Sequence, residues 1–550
     1  MLTKIKNLKI DKRLVYILAL AAFFILVRIS QVDFLGDNAH YAIRSLGFVD
    51  HVFSDQQTTP LYWYEHFPWW ANFSFHDQPP LLFFIQHIFL LARESIFFAK
   101  LPYVLLSLGT VGLLYLICRE RYGQTMARWS ALFLSLNSIF LYSARAGFME
   151  AGVIFFIALA VYFFFKFLQN HKFWWALGLA LGLCFLAKYS TFFLVPSFLV
   201  YIFVTDRRLF KTKKLYLAAA LSVLVFSPVL IYNVMMYKTT GHFDYQFSRL
   251  FHQASPWVAP GVAGVGNPLV LLKNYATGAN YLYLFLALAG TGFALFKKKL
   301  RFFGLGLLFL ILFFLFTGAA VQHQNLLNLF LAPGLGWLAA NFSSKKVFKI
   351  FVWTTAVYFF LFAFNSHILI KPVLERYSGW TVSAAPSVNR GIYQLDRYLD
   401  DLIEKENIKS VRDGYAEIKS KKPSLKRKYG TKPEALEIPY RQYPQMIIYD
   451  DNLNWFAELW PYKRRRFYHN LPILSTEELR RFLEDIDIDI TYYIRATDNT
   501  YLESEGVRQD FPDNFEGFLT AKGVKPVDRI YRTDGKEAFR VYKIDAQYAR

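Results

Sequence analysis

A polytopic α-helical membrane protein, with about 11 transmembrane helices and a C-terminal α/β soluble domain, is the fold class this sequence predicts. Three observations predict it. Apolar residues make up 55% of the 550, and over the first two-thirds they fall in runs close to the ~17–25 residues that cross a bilayer. Lys and Arg collect in short loops between those runs, as they do on the cytoplasmic side of membrane proteins. From about Lys371 the runs stop and charged residues become frequent. That shift divides a membrane domain, residues 1–370, from an extracytoplasmic α/β domain, residues 371–550.

The composition also narrows the function. With 57 Phe, 35 Tyr and 12 Trp the chain is richer in aromatics than an ordinary soluble domain. The net charge of +21 follows from basic cytoplasmic loops and implies no nucleic-acid partner. Cys118 and Cys184 both lie within apolar runs, so neither a disulfide framework nor a metal cluster is implied.

The first span, residues 14–30, follows a basic start that includes Lys4, Lys6, Lys9, Lys12 and Arg13. It resembles a signal peptide without a small-residue cleavage site, and so reads as an uncleaved span. The N-terminus and five later loops are basic: Arg119-Glu-Arg121, Gln169-Asn-His-Lys172, Asp206 to Lys214, Lys297 to Arg301 and Ser343 to Lys346. Loops on one side must be separated by an even number of crossings. Spans at 100–118, 126–143 and 148–168 satisfy this rule. The stretch 173–204, interrupted by Lys188-Tyr-Ser-Thr191, must therefore be two short helices, 173–187 and 190–204, with Lys188 at the outer turn. Spans at 215–232, 280–296, 302–318, 325–341 and 347–365 complete the set. The apolar run 79–91 would break the parity if it crossed, so it reads as an interfacial or re-entrant helix opened by Pro79-Pro80. Two large outer loops result, about 31–99 and 233–279.

In the C-terminal part, Met446-Ile-Ile-Tyr-Asp450 reads as a buried strand, and Ser475-Thr-Glu-Glu478 opens a helix with a capping box. Ile490 to Ile494 and Phe539 to Ile544 are further strands, and the basic stretch 419–428 reads as a solvated loop.

On this topology the unusual polar residues share the outer side. Asp37, His40 and Tyr41 follow the first span, and His76 and Gln78 precede the 79–91 helix. Arg145, Glu150, Lys188 and Tyr189 lie on outer turns, and Gln322-His-Gln-Asn325, with His323, on another. Ionisable groups at such depths are unfavourable unless they face a cavity or each other. Carboxylate, His, Arg and Lys around one outer cavity suit a phosphate leaving group and a general base. Arg145 and Lys188 could instead snorkel to the headgroups, although the outer side is the wrong one for bulk positive charge. Asp37, Glu150 and a His could hold a divalent metal, but no ligand spacing requires one.

The order of these motifs resembles the GT-C glycosyltransferases of the protein O-mannosyltransferase and lipid A aminoarabinose transferase type. An acidic motif follows the first span, here Asp37-Asn38 with Tyr41, and a Pro-Pro-Leu motif opens a helix, here His76-Asp-Gln-Pro-Pro-Leu81. An Arg and an acid begin the next outward turn, here Arg145 and Glu150. A Lys ends a Gly-containing apolar run, here Gly178 to Lys188, and a late span contains a Pro, here Pro333. The resemblance covers about residues 14–365. Three positions depart from it: Asn38 stands where Glu is frequent, Gln78 where Lys often precedes Pro-Pro, and Gln322 to Asn325 replaces a late Arg-Tyr element.

The resemblance implies a GT-C fold and transfer of a sugar from a polyprenyl-phosphate donor to a protein, lipid or glycan acceptor. It places Asp37 as general base, Glu150 beside Arg145 or the acceptor, and Arg145 and Lys188 on the phosphate. His40, Tyr41, His76, Gln78, Tyr189 and His323 become candidate substrate contacts, and His242, Tyr245 and Trp257 a lid or acceptor wall. The chain would sit among the lipids of a prokaryotic plasma membrane, with its site extracytoplasmic. The competing class is a lipid or solute transporter, which would show internal repeats and polar residues near the bilayer midplane.

Overall fold

Long apolar runs become helices because a backbone in lipid must satisfy its own hydrogen bonds. The computed structural model describes residues 11–47, 68–73, 78–251, 267–296, 299–318, 321–342, 346–374, 380–382, 389–409, 443–469, 471–482 and 488–545. In chain order its helices begin with α1 (Lys12–Leu26), α2 (Asp37–Gly47), α3 (Leu81–Ala92), α4 (Ile96–Tyr122), α5 (Gln124–Ser135) and α6 (Ser138–Ala146). Next come α7 (Met149–Gln169), α8 (Trp174–Ala187), α9 (Leu194–Thr205), α10 (Lys213–Thr240) and α11 (Tyr245–Leu250). The apolar region ends with α12 (Pro268–Ala279), α13 (Tyr281–Phe296), α14 (Arg301–Thr317), α15 (Asn328–Phe342) and α16 (Lys346–His367).

Among the described residues five helices are long and apolar enough to cross a membrane: α1 with its following turn, α4, α7, α10 and α16. Helices α12 and α13, bent by 116° to each other, make either a sixth, broken span or a re-entrant loop. Helices α3, α8, α9 and α14 are apolar but shorter.

The stretch 173–204 does form two short helices, α8 and α9, with Lys188 between them. The helix expected at 79–91 forms as α3, Leu81–Ala92, starting just after Pro79-Pro80; its 12 residues span about 18 Å at ~1.5 Å per residue and so are shorter than a bilayer core. Two expectations change. The run 126–143 is broken, because Asn137 accepts the Phe140 N–H at 3.0 Å and starts α6 as a new helix. The loop 233–279 holds the end of α10 together with α11 and α12. The bend from α12 into α13 falls at Asn280, whose φ is 99° and whose side chain accepts the Leu282 N–H at 2.9 Å.

Small residues let apolar helices approach one another. A Cβ at Gly178 would lie 2.6 Å from the Ala218 carbonyl oxygen, and one at Gly182 2.6 Å from Val225 Cβ, so α8 and α10 meet backbone to backbone. The other side of α10 exposes Val223, Leu224, Ile231 and Val234, and α16 exposes Ile350, Phe351, Trp353 and Val357. Such stripes suit lipid rather than water.

The chain divides into two compact units. One comprises Met1–Ile29, Asn72–Ile85 and Phe97–Pro386; the other comprises Ser30–Ala71, Gln86–Ile96 and Ser387–Arg550. This division departs from the expected boundary at 370/371, because parts of the expected outer loop 31–99 belong with the C-terminal sheet. Long-range capping explains part of it. Helix α17 (Ile392–Lys405) begins at Gly391 with no side-chain cap of its own. Asp33 supplies one, accepting the N–H groups of Tyr393 at 2.8 Å, Ile392 at 3.3 Å and Arg390. Glu94 pairs with Arg464 at 2.5 Å in the same unit.

The sheet of this second unit has five strands: β1 (Tyr443–Tyr449), β2 (Ile473–Ser475), β3 (Ile488–Ala496), β4 (Asp528–Tyr531) and β5 (Glu537–Asp545). Their order is β2-β1-β3-β5-β4; β1 runs parallel to β2 and β3, and β5 antiparallel to β3 and β4. Alternate side chains bury both faces, as expected for a sheet covered on two sides. Ile447 and Tyr449 pack with Leu395 and Leu399 of α17. Met446 and Ile448 pack in a second cluster with Leu479 and Leu519. The capping box forms as expected: Ser475 Oγ accepts the Glu478 N–H at 3.2 Å and Glu478 Oε2 accepts the Ser475 N–H at 2.9 Å.

Candidate active site

Glu150 stands in the first turn of α7, where unpaired backbone N–H groups favour a carboxylate. The turn that places it is tight. Gly147 has a φ of 77°, and a Cβ there would lie 2.9 Å from Lys100 Cγ. Lys188 sits at the end of α8 with extended backbone. Its carbonyl accepts the Thr191 hydroxyl at 2.8 Å, which fixes the peptide and directs the side chain.

The two meet across 38 residues of sequence. Lys188 Nζ donates to Glu150 Oε1 at 2.6 Å, and His323 Nε2 lies 3.3 Å from the same oxygen. Glu150 is 1% exposed and Lys188 6%. The His323 side chain, 29% exposed, is the outermost of the three. The Asn325 amide donates to the Glu150 backbone carbonyl at 3.3 Å, tying the 321–327 turn to α7.

A partly open cavity of about 70 Å³ borders this group. Lys188, Tyr189, Ser190, Gln78, Gln246 and His323 supply its polar wall, and Phe313 and Phe314 of α14 its apolar one. Tyr189 donates its hydroxyl to Asp244 Oδ2 at 2.6 Å, and Asn233 Nδ2 donates to the same oxygen at 3.0 Å. Asp244 Oδ1 in turn accepts the Phe247 N–H at 2.8 Å, so this fully buried carboxylate fixes the short helix carrying Gln246. Asp244 was absent from the sequence expectations. Its signal was local: an Asp immediately before Tyr245–Leu250 is an N-cap.

Of the expected site residues, then, the structure gathers Gln78, Glu150, Lys188, Tyr189 and His323. Arg145 corrects an expectation. It does not pair with Glu150; its guanidinium donates to the carbonyls of Phe24 at 2.5 Å and Ile25 at 3.3 Å, at the C-terminal end of α1. A cation at a helix C-terminus is favourable, and Arg145 acts there as a helix-end clamp. Asp37, His40 and Tyr41 belong to the second compact unit. Asp37 opens α2 and is half-buried, His40 packs on Trp455 with ring centroids 5.3 Å apart, and Tyr41 is buried. His76 and Trp257 lie outside the described residues. Among the described residues no group of three or more His, Cys, Asp or Glu could hold a metal ion.

A polytopic bundle with one buried lysine–carboxylate pair at a cavity defines a class, and the comparisons agree with it. The structure of ArnT from Cupriavidus metallidurans bound to undecaprenyl phosphate superposes with a TM-score of 0.53 over 98% of both chains, at 14% identity. The chain therefore has the fold of the GT-C glycosyltransferases and is an integral membrane protein, as its motifs suggest. Residues 77–232 match the family of dolichyl-phosphate-mannose-protein mannosyltransferases. Two provisionally named mannosyltransferases of Bacillus subtilis (strain 168) are similar in sequence. YkcB is 29% identical over 163 residues, 28% of this chain and 22% of its own. YycA is 26% identical over 212 residues, 38% of this chain and 30% of its own. The chain thus matches less than a third of the length of either relative.

Proposed function

We propose that this protein is an inverting glycosyltransferase that moves a sugar from a polyprenyl-phosphate carrier to a protein, lipid or glycan acceptor outside a prokaryotic plasma membrane. The observation that carries the reading is Lys188: a buried ammonium at a partly open cavity, between two helices too short to span a bilayer unaided. An anion delivered within the membrane is what such a cation can recognise, and a lipid phosphate is that anion. The matched family and the lipid-bound neighbour support the same donor class.

In this mechanism the donor enters laterally and its phosphate contacts Lys188. An acceptor hydroxyl oxygen attacks the anomeric carbon while Asp37 takes its proton. The bond from that carbon to the phosphate oxygen breaks, and the departing phosphate keeps the electron pair beside Lys188. Configuration inverts because one displacement occurs.

Incubating the purified protein with a panel of polyprenyl-phosphate sugars and following the freed carrier by mass spectrometry tests this reading. Carrier release that depends on Lys188 is expected. Lipid redistribution across vesicles without any carrier release would establish a transporter instead.

A further inference from the structure

Lys188 is already occupied. Glu150 Oε1 lies 2.6 Å from its Nζ, so a phosphate approaching the ammonium meets a carboxylate in its place. Two anions on one buried cation repel strongly, because the surroundings screen poorly. Glu150 is 1% exposed and cannot retreat to water unaided. Among the described residues its ion-pair partners are Lys188 and His323, both on Oε1.

We propose that Glu150 is a resident anion that holds Lys188 in the empty site, and that the donor phosphate displaces it onto a protonated His323. This rests on the assignment of the phosphate to Lys188. One proton from solvent adds to the His323 imidazole, whose N–H then donates to Glu150 as the Lys188–Glu150 contact opens. The charge count closes: the phosphodiester brings one negative charge and the histidine one positive. The groups facing Glu150 from each neighbouring element fit the exchange. The end of α8 presents Lys188, the 321–327 turn presents His323, and α4 presents the neutral Tyr103. The Tyr189 hydroxyl is committed to Asp244. In either position Glu150 remains in the first turn of α7.

Donor binding then takes up one proton, so affinity is higher at low pH and falls as pH rises through the range where histidine titrates. The test uses the full chain in lipid nanodiscs and a short-chain polyprenyl phosphomannose. As a phosphodiester this probe keeps one charge throughout. Wild-type Kd should rise at least ~10-fold between about pH 5.5 and about pH 8. Glu150→Gln should bind more tightly than wild type at the higher pH and show little slope. His323→Gln should be flat at the weak, high-pH value, and it leaves the Lys188–Glu150 pair intact should Glu150→Gln fail to fold. A flat wild-type profile, or a slope that survives in His323→Gln, overturns the exchange while the phosphate assignment stands. Absence of wild-type binding at every pH overturns that assignment, and the exchange with it.

Discussion

Replacing Lys188 with Met separates what the Lys188–Glu150 pair does for the fold from what the lysine does for the donor. At 2.6 Å two unit charges attract by about 6 kcal/mol at an effective dielectric of ~20. Burying both ends offsets much of that gain. Removing Lys188 at a pH above the range where histidine titrates exposes the offset, because Glu150 then stays buried without a counter-charge, a loss of ~3–5 kcal/mol. Lys188→Met should therefore lower the thermal unfolding midpoint in detergent markedly, since Glu150 is 1% exposed. Adding Glu150→Leu should restore most of that stability by replacing the pair with apolar volume. Donor binding should fail in both variants, and Lys188→Arg should keep part of it, because the charge persists while its geometry changes. Two results would refute the reasoning: a single variant that unfolds at the wild-type midpoint, or a double variant that binds donor like wild type.

Asp37→Asn should keep donor binding while lowering carrier turnover by at least ~10²-fold; near-wild-type turnover would remove Asp37 as the base. For topology, an engineered cysteine at Asp513 should react with an impermeant reagent added outside, and one at Thr212 should not; the reverse pattern would invert the proposed orientation. In the second compact unit, burial pushes the Glu478 carboxyl up, but Arg466, Lys463 and the Ser475 N–H together outweigh it and hold the group down at about 2. A lowered acid stabilises the fold above its unfolded value and loses that contribution as pH falls toward the folded one. Between about pH 4.5 and about pH 2 the wild type should lose on the order of 1.5–3 kcal/mol that Glu478→Gln lacks throughout. Parallel acid-unfolding curves for the two would contradict this.

What the sequence revealed depended on whether the cause was local. The division of 173–204 into α8 and α9 was legible because Lys188-Tyr-Ser-Thr191 interrupts the apolar run and basic loops at both ends called for an even number of crossings. The capping box at Ser475 and Glu478 was legible because its two bonds close within four residues. The break at Asn137 was not: it lies inside an apolar run, and its amide also donates to the hydroxyl of Tyr275, 138 residues on, at 3.2 Å. The capping of α17 by Asp33 was not legible either, since the two lie some 360 residues apart. Glu150 was expected beside Arg145 or the acceptor, whereas its cation, Lys188, comes from the end of another helix. Helix periodicity gives the direction of a side chain on its own element but not the element it will face.

Two of the buried cations of the first unit, Arg145 and Lys188, show why distance from an end of a helix matters less than the kind of partner. Arg145 is held through one guanidinium nitrogen, Nη1, by two peptide carbonyls, which are neutral and cannot leave, so it serves as an anchor. Lys188 is satisfied by a side chain that can rotate away, so its charge can be passed to something else. The helices flanking it, α8 and α9, have 14 and 12 residues, about 21 and 18 Å at ~1.5 Å per residue. In the proposed orientation a ~30 Å hydrocarbon core leaves the turn between them recessed. At that depth an ammonium without a counter-charge would be strongly unfavourable, so the short helices make a resident carboxylate necessary. Under the proposed function, a lipid-borne phosphate arriving at that depth is the anion positioned to take Glu150's place.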